Sequence, residues 1–234
     1  MKLQPFLIAL AACAVAATSS CRKEKDPVTI QPVNSSSVQF NDLEVGQKSR
    51  YLEFLGENYT SPNDSSYIYT DDTLSIEIVG KDALGFKVEE RLHYTGSVDN
   101  WLNTSKDEVF TYYWQVANDS LVVFSADNDL IQSRIFGYYY GKKRLPLAAI
   151  TSPLLQIKGW KTNLDYCECY KSGSIENATI LGQTFPQLNA IVDDSPMAVD
   201  GNGETYIYSG ENGIVRFATY SWWTQSGFGW DLVP

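Results

Sequence analysis

Glu90 interrupts an otherwise regular alternation. Between Gly85 and Thr95, Phe86, Val88, Leu92 and Tyr94 fall on one face of an extended chain, and Lys87, Glu89, Arg91 and His93 fall on the other. Strict alternation therefore sets Glu90 among apolar side chains, where a carboxylate must be paired or reach water because burying it alone is costly. Two accounts stay open: Glu90 lines a ligand cavity, or a β-bulge or a position near the end of the sheet turns it outward. His93 is the single imidazole and lies on the polar face beside Glu89 and Arg91. No G-x-S-x-G elbow supplies a serine for it to activate. The acidic doublets Asp71-Asp72, Glu89-Glu90 and Asp193-Asp194 could form a carboxylate pair of the glycosidase type, but two of the three sit in turn-like sequence. One histidine and Cys167-x-Cys169 do not make a metal site at ligand spacing. The expectation is a protein with no catalytic residue, no metal and no cofactor.

The side chains that remain for binding are aromatic. Phe110, Tyr112 and Trp114 share one face of a strand, Tyr138-Tyr139-Tyr140 are contiguous, and Trp222-Trp223 lie near Trp230. Flat amphipathic rings pack a core, stack on sugar rings or line an apolar cavity. The expected ligand set is Glu90, Phe110, Tyr112, Trp114, Tyr138, Tyr140, Trp222 and Trp223.

Strands must position these residues. From about residue 38 the chain alternates short β-type runs with turn clusters and has no long 3.6-residue period. Thr73 to Val79 alternates with period two, and with the 85–95 run it predicts a hairpin through Asp82 and Gly85. Further strands are expected near 48–56, 108–116, 120–125, 131–140, 164–171, 175–181, 186–193, 204–209, 213–220 and 228–232. Asn212-Gly213 marks a second hairpin. The prolines at 146 and 153 forbid a central strand over 141–160, which reads as a loop with a short helical turn. Cys167 and Cys169, two apart in a strand, should share a face as a packed thiol pair or a strained local disulfide. The fold class is mainly β: one antiparallel curved sheet or half-open barrel over residues 38–234, with that insertion near 141–160.

Eighteen basic and 28 acidic side chains give a net charge of −10, and loss of Lys2 with residues 1–20 takes the mature chain to −11. A surface this acidic repels nucleic acid. Residues 21–37, rich in charge, Pro and Ser, read as a flexible tether. At the N-terminus, Lys2 precedes an apolar run from Phe6 to Ala17, a signal-peptide core too short to span a bilayer. The run ends in Thr18-Ser19-Ser20-Cys21, with Arg22-Lys23-Glu24-Lys25 directly after. Small residues before a cysteine and charge after it resemble the lipobox of bacterial lipoproteins, although Thr18 stands where that family usually has Leu. The resemblance implies cleavage before Cys21, acylation of its sulfur, and stable anchoring through more than one acyl chain. Leu10-Ala11-Ala12-Cys13 matches the lipobox letters more closely, but cleavage there would leave a core of about seven residues, at the lower limit for export.

Gly182-Gln183-Thr184-Phe185, the apolar Ala190-Ile191-Val192, and Tyr206 to Arg216 with its turn glycines also look like the end of many Bacteroidota envelope lipoproteins. Those proteins are commonly likened to the unclosed β-barrels of the lipoprotein carrier and receptor group. The resemblance implies the cell envelope, with the outer membrane as the expected site. The membrane, reached through the anchor, and a hydrophobic small molecule or a glycan are the expected partners. The functional expectation is a non-catalytic binder of an apolar or amphipathic ligand, held between the sheet and the 145–155 segment. The alternative is a surface glycan- or protein-binding module that uses exposed Tyr and Trp.

Overall fold

Among the described residues the alternating runs form thirteen strands. A computed structural model describes residues 37–56, 68–95, 107–127, 129–150, 170–193, 202–221 and 226–234. The strands are β1 Lys48–Gly56, β2 Ile68–Lys81, β3 Phe86–His93, β4 Glu108–Ala117, β5 Ser120–Phe124, β6 Leu130–Ser133, β7 Gly137–Tyr140, β8 Lys142–Pro146, β9 Tyr170–Ile180, β10 Gln183–Asp193, β11 Asn202–Ser209, β12 Gly213–Ser221 and β13 Ser226–Leu232. Eleven of them form one antiparallel sheet in the order β8-β5-β4-β3-β2-β1-β13-β12-β11-β10-β9, which curls into a half-barrel. β6 and β7 form a separate hairpin. The described strands lie within one compact unit, Asn34–Pro234.

Turn chemistry sets the register. Asn118 and Asp119 both take positive φ, 51° and 53°, so the β4–β5 connection is a two-residue turn of the type whose twist matches that of its flanking strands. Ala117 then pairs with Ser120, and each further pair follows to Tyr113 with Phe124, where β5 stops. β4 has ten residues and β5 five, so half of β4 has no partner from β5.

The inner face is read from the pairing rows. Ile76, Glu90 and Phe110 form one row; Ile78, Val88 and Tyr112 the next; Phe86, Trp114, Val123 and Lys143 another. Strict alternation at Glu90 is thus correct, and the bulge in this pair of strands lies between Ile78 and Gly80 of β2 instead. The inner face is closed by the turn after β6, which inserts Ile135 and Phe136, both fully buried. The Phe136 ring meets Tyr112 at 5.7 Å, Trp114 at 6.2 Å and Tyr206 at 6.1 Å, and Tyr206 meets Phe217 at 5.2 Å. Burial of each such ring contributes about 1.5–3 kcal/mol, so this aromatic row is the centre of the core.

Three expectations need correction. The mid-chain segment does form a strand over Lys142–Pro146, tolerated because β8 is the edge strand and Pro146 its last residue; residues 151–169 lie outside the described ones. The single run expected at 131–140 is two strands, because Arg134 to Phe136 turn back on Ser133 Oγ, which accepts from the backbone N–H of Ile135 and Phe136 at 3.1 and 2.8 Å. Asp71-Asp72 sits within β2 and not in a turn: buried Asp72 accepts from the N–H and hydroxyl of Thr95, each at 2.7 Å.

Candidate functional site

Four of the expected binding residues, Glu90, Phe110, Tyr112 and Trp114, meet on the inner face, and two of them are packed into the aromatic core. Tyr112 and Trp114 are fully buried, while Phe110 is half-buried at the rim. Glu90 is fully buried and accepts from Ser133 Oγ at 2.6 Å, from the Tyr112 hydroxyl at 2.9 Å and from the backbone N–H of Arg134. Burial pushes its carboxyl above the usual glutamate value, against the pull of those donors and of the Arg134 charge. The Arg134 guanidinium donates from Nε to Glu108 at 3.1 Å and lies 5.9 Å from the Phe110 ring. Glu90 thus fastens the β6–β7 turn onto the sheet. Beneath that turn the rings of Tyr112, Trp114 and Tyr206 pack against Phe136.

A second polar cluster ties the two ends of the curled sheet. Buried Lys143 on β8 reaches the Glu204 carboxylate and, at 2.5 Å, the Tyr206 hydroxyl, both on β11. Tyr208 donates to the carbonyl of Pro146 at 2.7 Å. Asn189 of β10 donates to the carbonyls of Ala148 and Pro146 at 2.9 and 3.3 Å and accepts from the Ile150 N–H at 3.0 Å. Among the described residues, side chains and not a backbone ladder join β8 to β10 and β11, and the 146–150 segment is held by its carbonyls and by two N–H groups, Ile150 donating to Asn189 and Leu147 to the Asp119 carbonyl at 2.7 Å.

Open space lies on the other side of the β6–β7 hairpin. A cleft of about 410 Å³ runs along the part of β4 that β5 leaves unpaired, with Val109, Phe110, Thr111, Leu130 and Gln132 among its lining residues. Leu130 pairs with Tyr140 and Gln132 with Tyr138, so these four residues share one face of the hairpin, and Leu130 and Gln132 carry that face into the cleft. Tyr138 and Tyr140 are 66% and 74% exposed. Tyr139, on the opposite face, stands 5.3 Å from the Lys143 ammonium.

Of the other residues picked from sequence, His93 is exposed and meets Asp107 at 3.3 Å. Trp222, Trp223, Cys13, Cys21, Cys167 and Cys169 lie outside the described residues. No group of three or more His, Cys, Asp or Glu able to hold a metal occurs among the described residues. Sequence reasoning missed Val109, Thr111, Leu130 and Gln132. Their signal was present in the unequal lengths of the runs flanking Asn118-Asp119, which leave one strand overhanging the other.

No family model matches the chain, and no curated protein matches it. Two solved structures resemble it. One, from Parabacteroides distasonis and described as a lipoprotein, is 14% identical, with 84% of this chain and 97% of that one covered at a TM-score of 0.34. The other, from Vibrio parahaemolyticus and described as a domain of an outer membrane lipoprotein-sorting protein, is 10% identical, with 83% and 86% covered at a TM-score of 0.23. At these scores neither likeness assigns a function to the chain.

Proposed function

We propose that the protein is an envelope lipoprotein, anchored through Cys21 in the outer membrane, whose β domain binds a partner at its surface without catalysing a reaction. The observation that carries this reading is the pair Tyr138 and Tyr140, exposed side by side on a fixed hairpin face that runs into the cleft through Leu130 and Gln132. A ring left in water gives up burial worth about 1.5–3 kcal/mol, which a binding partner recovers. Rigid tyrosines also lose little conformational entropy on binding, which is why they recur in recognition surfaces. The surface site is preferred to a pocket on the inner face because Tyr112, Trp114 and Tyr206 are already packed against Phe136 beneath the β6–β7 turn. The non-catalytic reading rests on His93, whose described carboxylate contact is the exposed Asp107, and on Glu90, whose three described donors belong to the fold.

The test is the double substitution Tyr138→Ser, Tyr140→Ser, screened beside the wild type on glycan and peptide arrays. The expected result is loss of whatever the wild type retains, with thermal stability unchanged, since neither ring is packed. Equal retention by both proteins would overturn the surface reading.

A further inference from the structure

The cleft floor is a sheet edge. Because Asn118-Asp119 is a two-residue turn, Ala117 and Ser120 form the first hydrogen-bonded pair, and such pairs alternate along the ladder. Odd-numbered residues of β4 therefore direct N–H and C=O toward β5, and even-numbered ones toward β3. β5 stops opposite Tyr113, so Val109 and Thr111 direct both backbone groups into the cleft. No described residue pairs with them there. Val109 is 53% exposed. Ser125, directly after β5 at the cleft wall, is only 8% exposed, and its Oγ has no hydrogen-bond partner among the described residues. An edge presenting unpaired N–H and C=O groups is a template for another strand.

On the reading that this cleft and the tyrosine face beside it are the binding surface, we infer that the cleft takes an extended segment of a partner protein, which adds to the free edge of β4 as a short strand. Strand addition takes affinity from main-chain hydrogen bonds and specificity from alternate side chains. Val109 and Thr111, two residues apart, offer donor and acceptor pairs about 7 Å apart, the repeat of an antiparallel partner. The partner residue beside Phe110 turns to the inner side and meets the Phe110 ring and Leu130, so an apolar side chain fits there. Its two neighbours turn outward toward Lys87 and Asp127, where polar side chains fit. A saccharide could stack on Tyr138 and Tyr140 but does not repeat N–H and C=O at this interval, which decides for polypeptide.

The test uses the full-length protein in detergent and a library of capped octapeptides, including copies of residues 22–37 of this chain. The tightest binder is remade with N-methyl groups on one alternating set of residues and then on the other. The expected result is that one set weakens binding by at least about 30-fold and the other by less than about 3-fold, because a hydrogen bond is worth roughly 3- to 10-fold and one face carries several. Thr111→Pro, which removes a donor facing the cleft and none facing β3, weakens binding by about 10-fold or more, and Thr111→Val leaves it within about 3-fold. Equal effects of the two methylation patterns, unchanged binding by Thr111→Pro, or no peptide bound at millimolar concentration would each overturn strand addition. Preferential capture of the 22–37 copy would show the occupant to be this chain and overturn the partner assignment. Failure of the two readings is separable. A glycan lost on Tyr138→Ser, Tyr140→Ser with no peptide bound keeps the surface site and removes the strand, whereas a methylation-sensitive peptide indifferent to the tyrosines does the reverse.

Discussion

Replacing Glu90 by Ala tests the assignment of that carboxylate to the fold. The substitution leaves Ser133 Oγ, the Tyr112 hydroxyl and the Arg134 N–H without their shared acceptor in a site closed to water. A buried group left unsatisfied costs about 1–3 kcal/mol, and Ser133 keeps its bonds to the Ile135 and Phe136 N–H groups, so a total near 3–5 kcal/mol follows. The loss should be local first. Hydrogen exchange over residues 130–140 should speed up more than over β1 and β13. Glu90→Gln separates charge from shape, since its amide oxygen still accepts from Arg134 and its nitrogen can donate to a rotated hydroxyl. Burial holds the Glu90 carboxyl above the value it has in the unfolded chain. The folded state therefore keeps the proton to higher pH than the unfolded state. This group's contribution is fullest below the unfolded value, near pH 4.5, and is lost as pH rises through the raised folded one. Glu90→Gln lacks that loss. Its stability relative to wild type, measured by urea unfolding at successive pH values, should improve across the window and be flat on either side. A cost below about 1 kcal/mol for Glu90→Ala, or a difference between Gln and wild type that does not vary with pH, would refute the clasp.

Gly229 on β13 lies against the Phe54 ring and the Phe217 carbonyl, with no room for a Cβ, so Gly229→Ala should cost about 1–3 kcal/mol in urea unfolding. On the opposite face from Trp230, Arg216 and Asp231 form a fully buried bidentate pair at 2.6 Å, with the Tyr69 hydroxyl donating to Asp231 and the Arg216 guanidinium 4.6 Å from the Phe54 ring. Arg216→Met alone should cost about 3–5 kcal/mol by stranding a buried charge, and adding Asp231→Leu should recover part of that loss in a double-mutant cycle. At the anchor, Cys21→Ser should abolish palmitate labelling and release the protein from membranes, while Cys13→Ser should do neither. Loss of labelling in Cys13→Ser alone would move the cleavage site.

How much of this was legible depends on the distance over which each cause acts. The β2–β3 and β11–β12 hairpins were readable because alternation and turn residues are local, whereas the side on which Glu90 falls was not, since a bulge beside it would have turned it outward and the bulge lies at Ile78 and Gly80 instead. Nor were the partners of Glu90, since Ser133 and Arg134 lie more than forty residues away and reach it only after β6 folds across the inner face. The same separation hid the fate of the aromatic residues. Phe110, Tyr112 and Trp114 share a face as expected, yet nothing local says that Phe136 will cover two of them and leave the third at a rim. β8 was missed because Pro146 was weighed as if every strand were central. A proline at the end of an edge strand breaks no ladder, and edge status is a property of the whole sheet.

The same global property explains why an opening exists where it does. A half-barrel must stop somewhere, and here β8 and the segment after Pro146 are tied to β10 and β11 through Lys143, Tyr208 and Asn189. Those contacts satisfy polar groups at the seam without extending β5, whose length is limited by the chain leaving at Ser125 to cross the inner face. The crossing is what lets Glu90 capture the β6–β7 turn, and it removes the strand that would otherwise cover Val109 and Thr111. One chain reversal therefore fills the core and uncovers a sheet edge. A variant that extends β5 to pair with Val109 would have to release Phe136 from its contacts with Tyr112 and Trp114. The buried clasp at Glu90 and the open cleft at β4 are consequently two results of the same path, and destabilising the first should close or reshape the second.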